Sequence, residues 1–119
     1  MKKSKMSGLA PIRELQIDGE SYQIVVDIEA IRVAERIADV PILSGMDRRT
    51  ADHPKLDLIC AFFYAALQRH HKEVSLQQAS SMVTMQNWRT IWNALVILYV
   101  DAMGEPEEEA EGNPQASQS

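Results

Sequence analysis

The sequence predicts an α+β, mostly helical fold, with an N-terminal β-hairpin followed by a small bundle of about four helices. The first observation is the run Leu56–Leu67, in which Asp57 is the one charged residue and no Gly or Pro interrupts the helix formers. The second is the turn dipeptide Asp18-Gly19 between two segments of alternating apolar residues. Because a chain of 119 residues has room for one modest core, the other elements must pack around this largely apolar helix.

The hairpin is predicted over Arg13–Val26. Asp18 and Gly19 suit a two-residue turn, which needs positive φ at both central positions. A turn of this length places Leu15 opposite Tyr22 on one face of the two strands. We expect that face to pack on the helices.

Helical periodicity predicts four helices, over residues 28–40, 56–71, 75–83 and 85–103. Asp27, Ser75 and Thr84 are placed to cap the N-termini of the first, third and fourth helices. Pro41 ends the first helix, and Gly104 follows the last one as a stop signal.

Two apolar stripes run along the central helix, which predicts that neighbours cover it on several sides. The first stripe consists of Leu56, Ile59, Cys60, Phe63, Ala66 and Leu67, and the second of Leu58, Phe62 and Ala65. Cys60 is the one cysteine of the chain, so an internal disulfide is excluded and a buried core thiol is expected. The apolar run is too short to span a bilayer, which takes about 20 residues.

Composition divides the chain into a disordered basic tail over residues 1–11, a single globular domain over 12–104, and a disordered acidic tail over 105–119. Gly, Pro and polar residues interrupt the 41–55 segment, which is predicted to be a linker without regular structure. No apolar signal segment follows the first lysines, and the single cysteine indicates no oxidising compartment. The expected location is therefore the cytoplasm.

The sequence offers no catalytic, cofactor-binding or metal-binding pattern, so we expect a protein that is not an enzyme. It has neither a Gly-rich phosphate loop nor a GxSxG motif. His70 and His71 point about 100° apart on a helix and do not chelate one metal together. A net charge of −5 gives no electrostatic reason to bind nucleic acid or an anionic membrane. Ser75–Val100 has the outline of a helix-turn-helix, but its second helix carries Trp and aliphatic residues where base readout needs polar ones.

The order of the elements resembles the small tail assembly chaperones of long-tailed bacteriophages and gene transfer agents. The resemblance covers roughly Ile17 to Ala102. It consists of a hairpin, the acidic first helix that begins in Asp27–Glu35, an Ala-rich helix that contains Ala65–His70, and a capped third helix over Val74–Ala79 that leads into a long last one. The 41–55 segment carries no motif of that family.

This resemblance implies a binding role. Chaperones of that family coat the long, aggregation-prone tape measure protein, keep it soluble and help to bring tail tube subunits to it. It also implies work in the cytoplasm of a host cell. A homo-oligomer is suggested separately, by the surplus apolar face of the last helix. The alternative from another class is a small transcription or host-takeover regulator that acts by protein-protein contact.

The final helix is apolar over more of its circumference than one neighbour covers, which indicates a surface for self-association or for a client. The alternative is that the hairpin covers the surplus stripe. In the 41–55 segment, two arginines either contact acidic groups of a partner or only face water. The candidate partner-binding residues are therefore Trp88, Trp92, Val96, Ile97, Val100, Arg48 and Arg49.

Overall fold

The structure is a computed structural model that describes residues 12–44 and 46–103. It has two strands and five helices in these ranges: β1 Ile12–Ile17, β2 Glu20–Val25, α1 Ile28–Ala38, α2 Arg48–Asp52, α3 Leu56–Leu67, α4 Leu76–Met82 and α5 Trp88–Met103. The predicted class is confirmed, because an antiparallel hairpin precedes a mostly helical domain with four substantial helices. The two predicted tails and the stop signal at Gly104 lie outside the described residues.

The hairpin has the predicted turn and the predicted pairing. Asp18 and Gly19 have φ angles of 53° and 80°, as a two-residue turn with positive φ at both positions requires. Leu15 lies opposite Tyr22 in the antiparallel register. Leu15 and Ile17 are both buried, so this face of β1 forms part of the core, and β1 packs against α5.

Helix α3 is the centre of the domain, as predicted. It packs against α1, α4, α5 and β2. Phe62 and Phe63 are fully buried, and the Phe62 ring meets the Trp92 ring edge to face, with centroids 6.1 Å apart. The prediction for Leu56 is wrong, because this first residue of the helix is 61% exposed. Cys60 is half-buried rather than fully enclosed.

The predicted caps at Asp27 and Ser75 form, although three helices end one to four residues earlier than the periodicity suggested. The last helix begins at Trp88 rather than at residue 85, so Thr84 caps the turn over 85–87 instead of the helix. Asp27 accepts from the Ala30 N–H, and Ser75 forms the complete capping box with Gln78. The first helix ends at Ala38, because Asp39 takes a left-handed conformation that terminates the hydrogen-bond ladder. The central helix ends at Leu67, after which residues 68–70 form a turn.

The 41–55 segment is not the irregular linker that was predicted, because α2 forms within it. Asp47 caps this short helix by accepting from the Thr50 N–H at 2.8 Å. Asp47 and Thr50 have the spacing of an N-terminal cap, which favours a helix here. The Gly and Pro residues of the segment favoured irregular structure, and the prediction followed them. Gly45 lies outside the described residues.

Side chains from α1 and α5 fasten the 41–55 segment to the domain. The Glu35 carboxylate accepts from the N–H groups of Leu43 at 2.7 Å and Ile42 at 2.6 Å, and these donors hold the pKa of Glu35 below its ordinary value. The buried Tyr99 hydroxyl accepts from the Met46 N–H at 3.1 Å and donates to the Ile42 carbonyl at 3.0 Å. Ile42 and Met46 are consequently buried core residues.

Candidate partner-binding site

Trp92 belongs to the core of the domain. Its side chain is 2% exposed, and its indole N–H donates to the Ala51 carbonyl at 2.8 Å. The ring also packs on Phe62. In this conformation Trp92 offers almost no surface to a partner, and its hydrogen bond instead places α2 beside α5.

The second half of α5 keeps some apolar surface. Ile97 is 43% exposed, although β1 packs against this helix. Val96 and Val100 are half-buried and pack at the margin of the core. We call Val96, Ile97 and Val100 the Ile97 face. The hairpin therefore does not cover all of the surplus stripe.

The two candidate arginines, Arg48 and Arg49, are exposed at the start of α2. Trp88 is half-buried at the start of α5, one helical turn before Trp92. The Arg89 guanidinium lies 4.6 Å from the centroid of the Trp88 ring, in a cation–π contact. The structure thus distributes the candidates among the core, the Ile97 face, α2 and the N-terminal end of α5.

An open, mostly apolar groove lies at that end of α5. It has a volume of about 480 Å³. We call it the Leu56 groove. It is lined by Pro54, Leu56, Ile59, Val83, Thr84, Met85 and Trp88. Leu56 is 61% exposed and Met85 is 84% exposed, so two large apolar side chains stand in solvent at its margin.

Local sequence explains why these side chains are exposed. Leu56 is the first residue of α3 and follows Pro54-Lys55, so the chain enters the helix there from the surface. Met85 lies in the turn over 85–87 that precedes α5. Thr84 and Asn87 hold this turn through reciprocal hydrogen bonds, from Thr84 N–H to Asn87 Oδ1 at 2.7 Å and from Asn87 N–H to Thr84 Oγ1 at 3.2 Å.

A second depression of about 330 Å³ adjoins the groove and extends it toward α1. It is lined by Ile37, Leu56, Asp57, Cys60, Ala61, Leu76, Ser80 and Val83. Leu56 and Val83 line both cavities, so the apolar surface is continuous across them. Asp57 is the one charged residue among the lining side chains of the two cavities. This composition suits apolar side chains of a partner better than a polar small molecule.

Cys60 lines the second depression without the character of a nucleophile. Burial raises the pKa of its thiol, although a side-chain hydrogen bond with Ser80 acts in the opposite direction. The neutral thiol is therefore the dominant form near pH 7. Within residues 12–44 and 46–103, no group of three His, Cys, Asp or Glu residues lies close enough to hold a metal ion.

Sequence reasoning found Trp88 but missed the rest of the groove. The helical period of Leu56 predicted burial, since periodicity alone does not tell where a helix emerges from the core. The signal for Met85 was its place between the cap residue Thr84 and the helix, because a large apolar residue in a tight turn has few neighbours. Among the described residues, no helix combines the length and the apolar character that crossing a membrane requires.

No protein family, curated protein or solved structure matches this chain. Any account of its function therefore depends on the groove, on the exposed faces and on the order of its elements.

Proposed function

We propose that the protein is a non-enzymatic tail assembly chaperone that binds the tape measure protein and helps to recruit tail tube subunits. The observation that carries the proposal is the Leu56 groove, an open apolar surface between the start of α3 and the segment that leads from α4 into α5. The identity of the proposed client comes from the resemblance in the order of the hairpin and helices, which was described from the sequence. The proposed place of work is the cytoplasm of a host cell.

The groove has the properties that a client helix needs. An amphipathic helix binds by laying apolar side chains, spaced three and four residues apart, into an apolar groove. The Leu56 groove and the adjoining depression together supply such a floor, and the two cavities share Leu56 and Val83. The net charge of −5 keeps a carrier with an exposed apolar surface in solution through self-repulsion.

The Ile97 face is the second apolar surface and lies farther along α5. In the proposal it serves self-association, while the Leu56 groove holds the client. Arg48 and Arg49 are exposed on α2 and supply positive charge for acidic groups on a partner. The proposal involves no membrane, no nucleic acid and no cofactor.

The experiment is co-expression of the tagged protein with candidate tape measure and tail tube proteins, followed by pull-down. The variant Leu56→Glu places a charge on a residue that lines both the groove and the adjoining depression. Ile28→Glu is a matched control, because Ile28 is also the first residue of a helix and is 54% exposed, against 61% for Leu56. Thermal unfolding of both variants verifies that the domain remains folded.

Capture of the tape measure protein by wild type and Ile28→Glu, with loss of capture by folded Leu56→Glu, supports the proposal. Equal capture by both variants indicates that the client binds outside the Leu56 groove. Failure of the wild-type protein to capture any tape measure or tail tube candidate refutes the proposed function.

A further inference from the structure

His71 joins the hairpin to the helical part of the domain. It lies between α3 and α4, and its Nε2 atom accepts from the backbone N–H of Gln23 on β2 at 3.0 Å. These residues are 48 positions apart in the sequence. The imidazole also meets the Tyr22 ring edge to face, with centroids 5.3 Å apart. The N–H of Gln23 therefore points away from β1 toward the outer edge of β2.

An imidazole nitrogen accepts a hydrogen bond only while it carries no proton. Because Nε2 of His71 is the acceptor, the neutral ring carries its proton on Nδ1. Uptake of a second proton turns Nε2 into a donor that faces the donor N–H of Gln23. Histidine is the side chain that ordinarily takes up such a proton between about pH 5 and 8.

The groups around His71 divide between the two elements that it joins. On the segment that carries His71, the Glu73 carboxylate lies 3.9 Å from Nδ1. On β2, the contact is the phenol ring of Tyr22. On β1, Glu14 is the register partner of Gln23, and its carboxylate accepts from Ser21 and Gln16 on the hairpin itself. The ionisable residues nearest to His71 in the chain are Arg69, which pairs with Asp27, and His70 and Lys72.

We propose that His71 is a proton-operated latch that holds β2 against the turn between α3 and α4 while it is neutral and releases the Gln23 N–H when it is protonated. Release leaves a backbone donor unpaired on the outer edge of a two-stranded sheet. Such an edge is the part of a hairpin at which another strand pairs.

The test is NMR on the full chain between about pH 5.5 and 8, above the range in which carboxylates ordinarily titrate. Imidazole resonances give the tautomer and the protonation of each histidine, and amide exchange gives the protection factor of Gln23. We expect the Nδ1–H tautomer of His71 at pH 8. We also expect Gln23 protection to fall roughly fivefold or more along the His71 titration, as loss of one hydrogen bond implies.

Three variants separate the latch from general effects of pH. His71→Gln supplies an amide oxygen that accepts at every pH, so its Gln23 protection should not depend on pH. His71→Phe keeps an aromatic ring beside Tyr22 without an acceptor, so its Gln23 protection should be low throughout. His70→Gln is the matched control, because His70 is exposed, and it should behave as the wild type does.

The proposal is overturned if Gln23 protection is constant while His71 titrates, or if His71 carries its neutral proton on Nε2. Retention of pH-dependent protection in His71→Gln overturns it as well. If His71→Phe does not fold, the wild-type titration and His71→Gln still decide. None of these measurements involves a client. A result that overturns the latch therefore leaves the proposed chaperone function untouched, and the reverse also holds.

Discussion

Replacing Tyr99 with phenylalanine removes one buried oxygen and leaves the aromatic packing of α5 in place. The side chain is 5% exposed, and its hydroxyl makes two hydrogen bonds to the backbone of the 41–55 segment. It accepts from the Met46 N–H at 3.1 Å and donates to the Ile42 carbonyl at 3.0 Å. The substitution therefore tests whether this segment is an integral part of the fold.

The magnitude follows from these two bonds. Each contributes about 1 kcal/mol net, and a buried N–H left without an acceptor costs about 1–3 kcal/mol. Since Met46 is buried, we expect the free energy of unfolding to fall by roughly 2–4 kcal/mol. For a domain of this size, Tm should fall by roughly 8 °C or more.

Urea unfolding followed by tryptophan fluorescence measures the change directly. The dependence of the unfolding free energy on urea should stay the same, because the same surface is exposed on unfolding. Tyr64→Phe is the control: this half-buried tyrosine of α3 makes no side-chain hydroxyl hydrogen bond within the described part of the chain. A Tyr99→Phe protein within about 0.5 kcal/mol of wild type would refute the reasoning and indicate that water replaces the hydroxyl.

Four further predictions address the core, the acid response, the surface and the tail. Phe63→Ala should destabilise the domain by about 3–5 kcal/mol in urea unfolding, because the ring is fully buried, and a near-wild-type curve contradicts this. Glu35→Gln should destabilise at neutral pH. Two backbone donors lower the pKa of Glu35 in the folded state. The contribution of the carboxylate to the free energy of unfolding is therefore complete above the ordinary carboxyl pKa, and it is lost as the pH falls through the folded-state pKa. Melting curves of both proteins should therefore converge in acid, and a constant difference argues against the mechanism. Ile97→Glu with Val100→Glu should leave a folded domain whose oligomer is lost, because the proposal assigns the Ile97 face to self-association, and an unchanged solution mass refutes an interface there. Because the sequence predicts a disordered acidic tail, removal of Glu105–Ser119 should leave cooperative unfolding intact in calorimetry, and a broadened transition contradicts that prediction.

Local chemistry made the hairpin and the caps predictable. The turn at Asp18-Gly19 needs positive φ at two adjacent positions, and few residue pairs other than Asp-Gly or Asn-Gly permit that. The capping box at Ser75 depends on Gln78, three residues away. Each of these signals is complete within four residues, so no knowledge of the tertiary fold was needed.

Several features that escaped prediction depend on partners far away in the chain. The 41–55 segment is held in part by α5, whose residues follow it by several tens of positions, and nothing within the segment predicts those hydrogen bonds. The acceptor role of His71 depends in the same way on a strand that precedes it by 48 residues. Leu56 was misassigned because periodicity identifies the apolar side of a helix, whereas its exposure depends on where the neighbouring elements end.

The fastening of the 41–55 segment also has a consequence for how the chain is made. Its hydrogen bonds to Trp92 and Tyr99 span 41, 53 and 57 residues, and a ribosome releases the N-terminal part of a chain first. During synthesis, Ile42 and Met46 cannot be buried until α5 has been made. The loops that these long-range hydrogen bonds close form slowly relative to local turns. Chains that stop before α5 therefore present these apolar residues to proteases and quality-control factors, while completed chains conceal them.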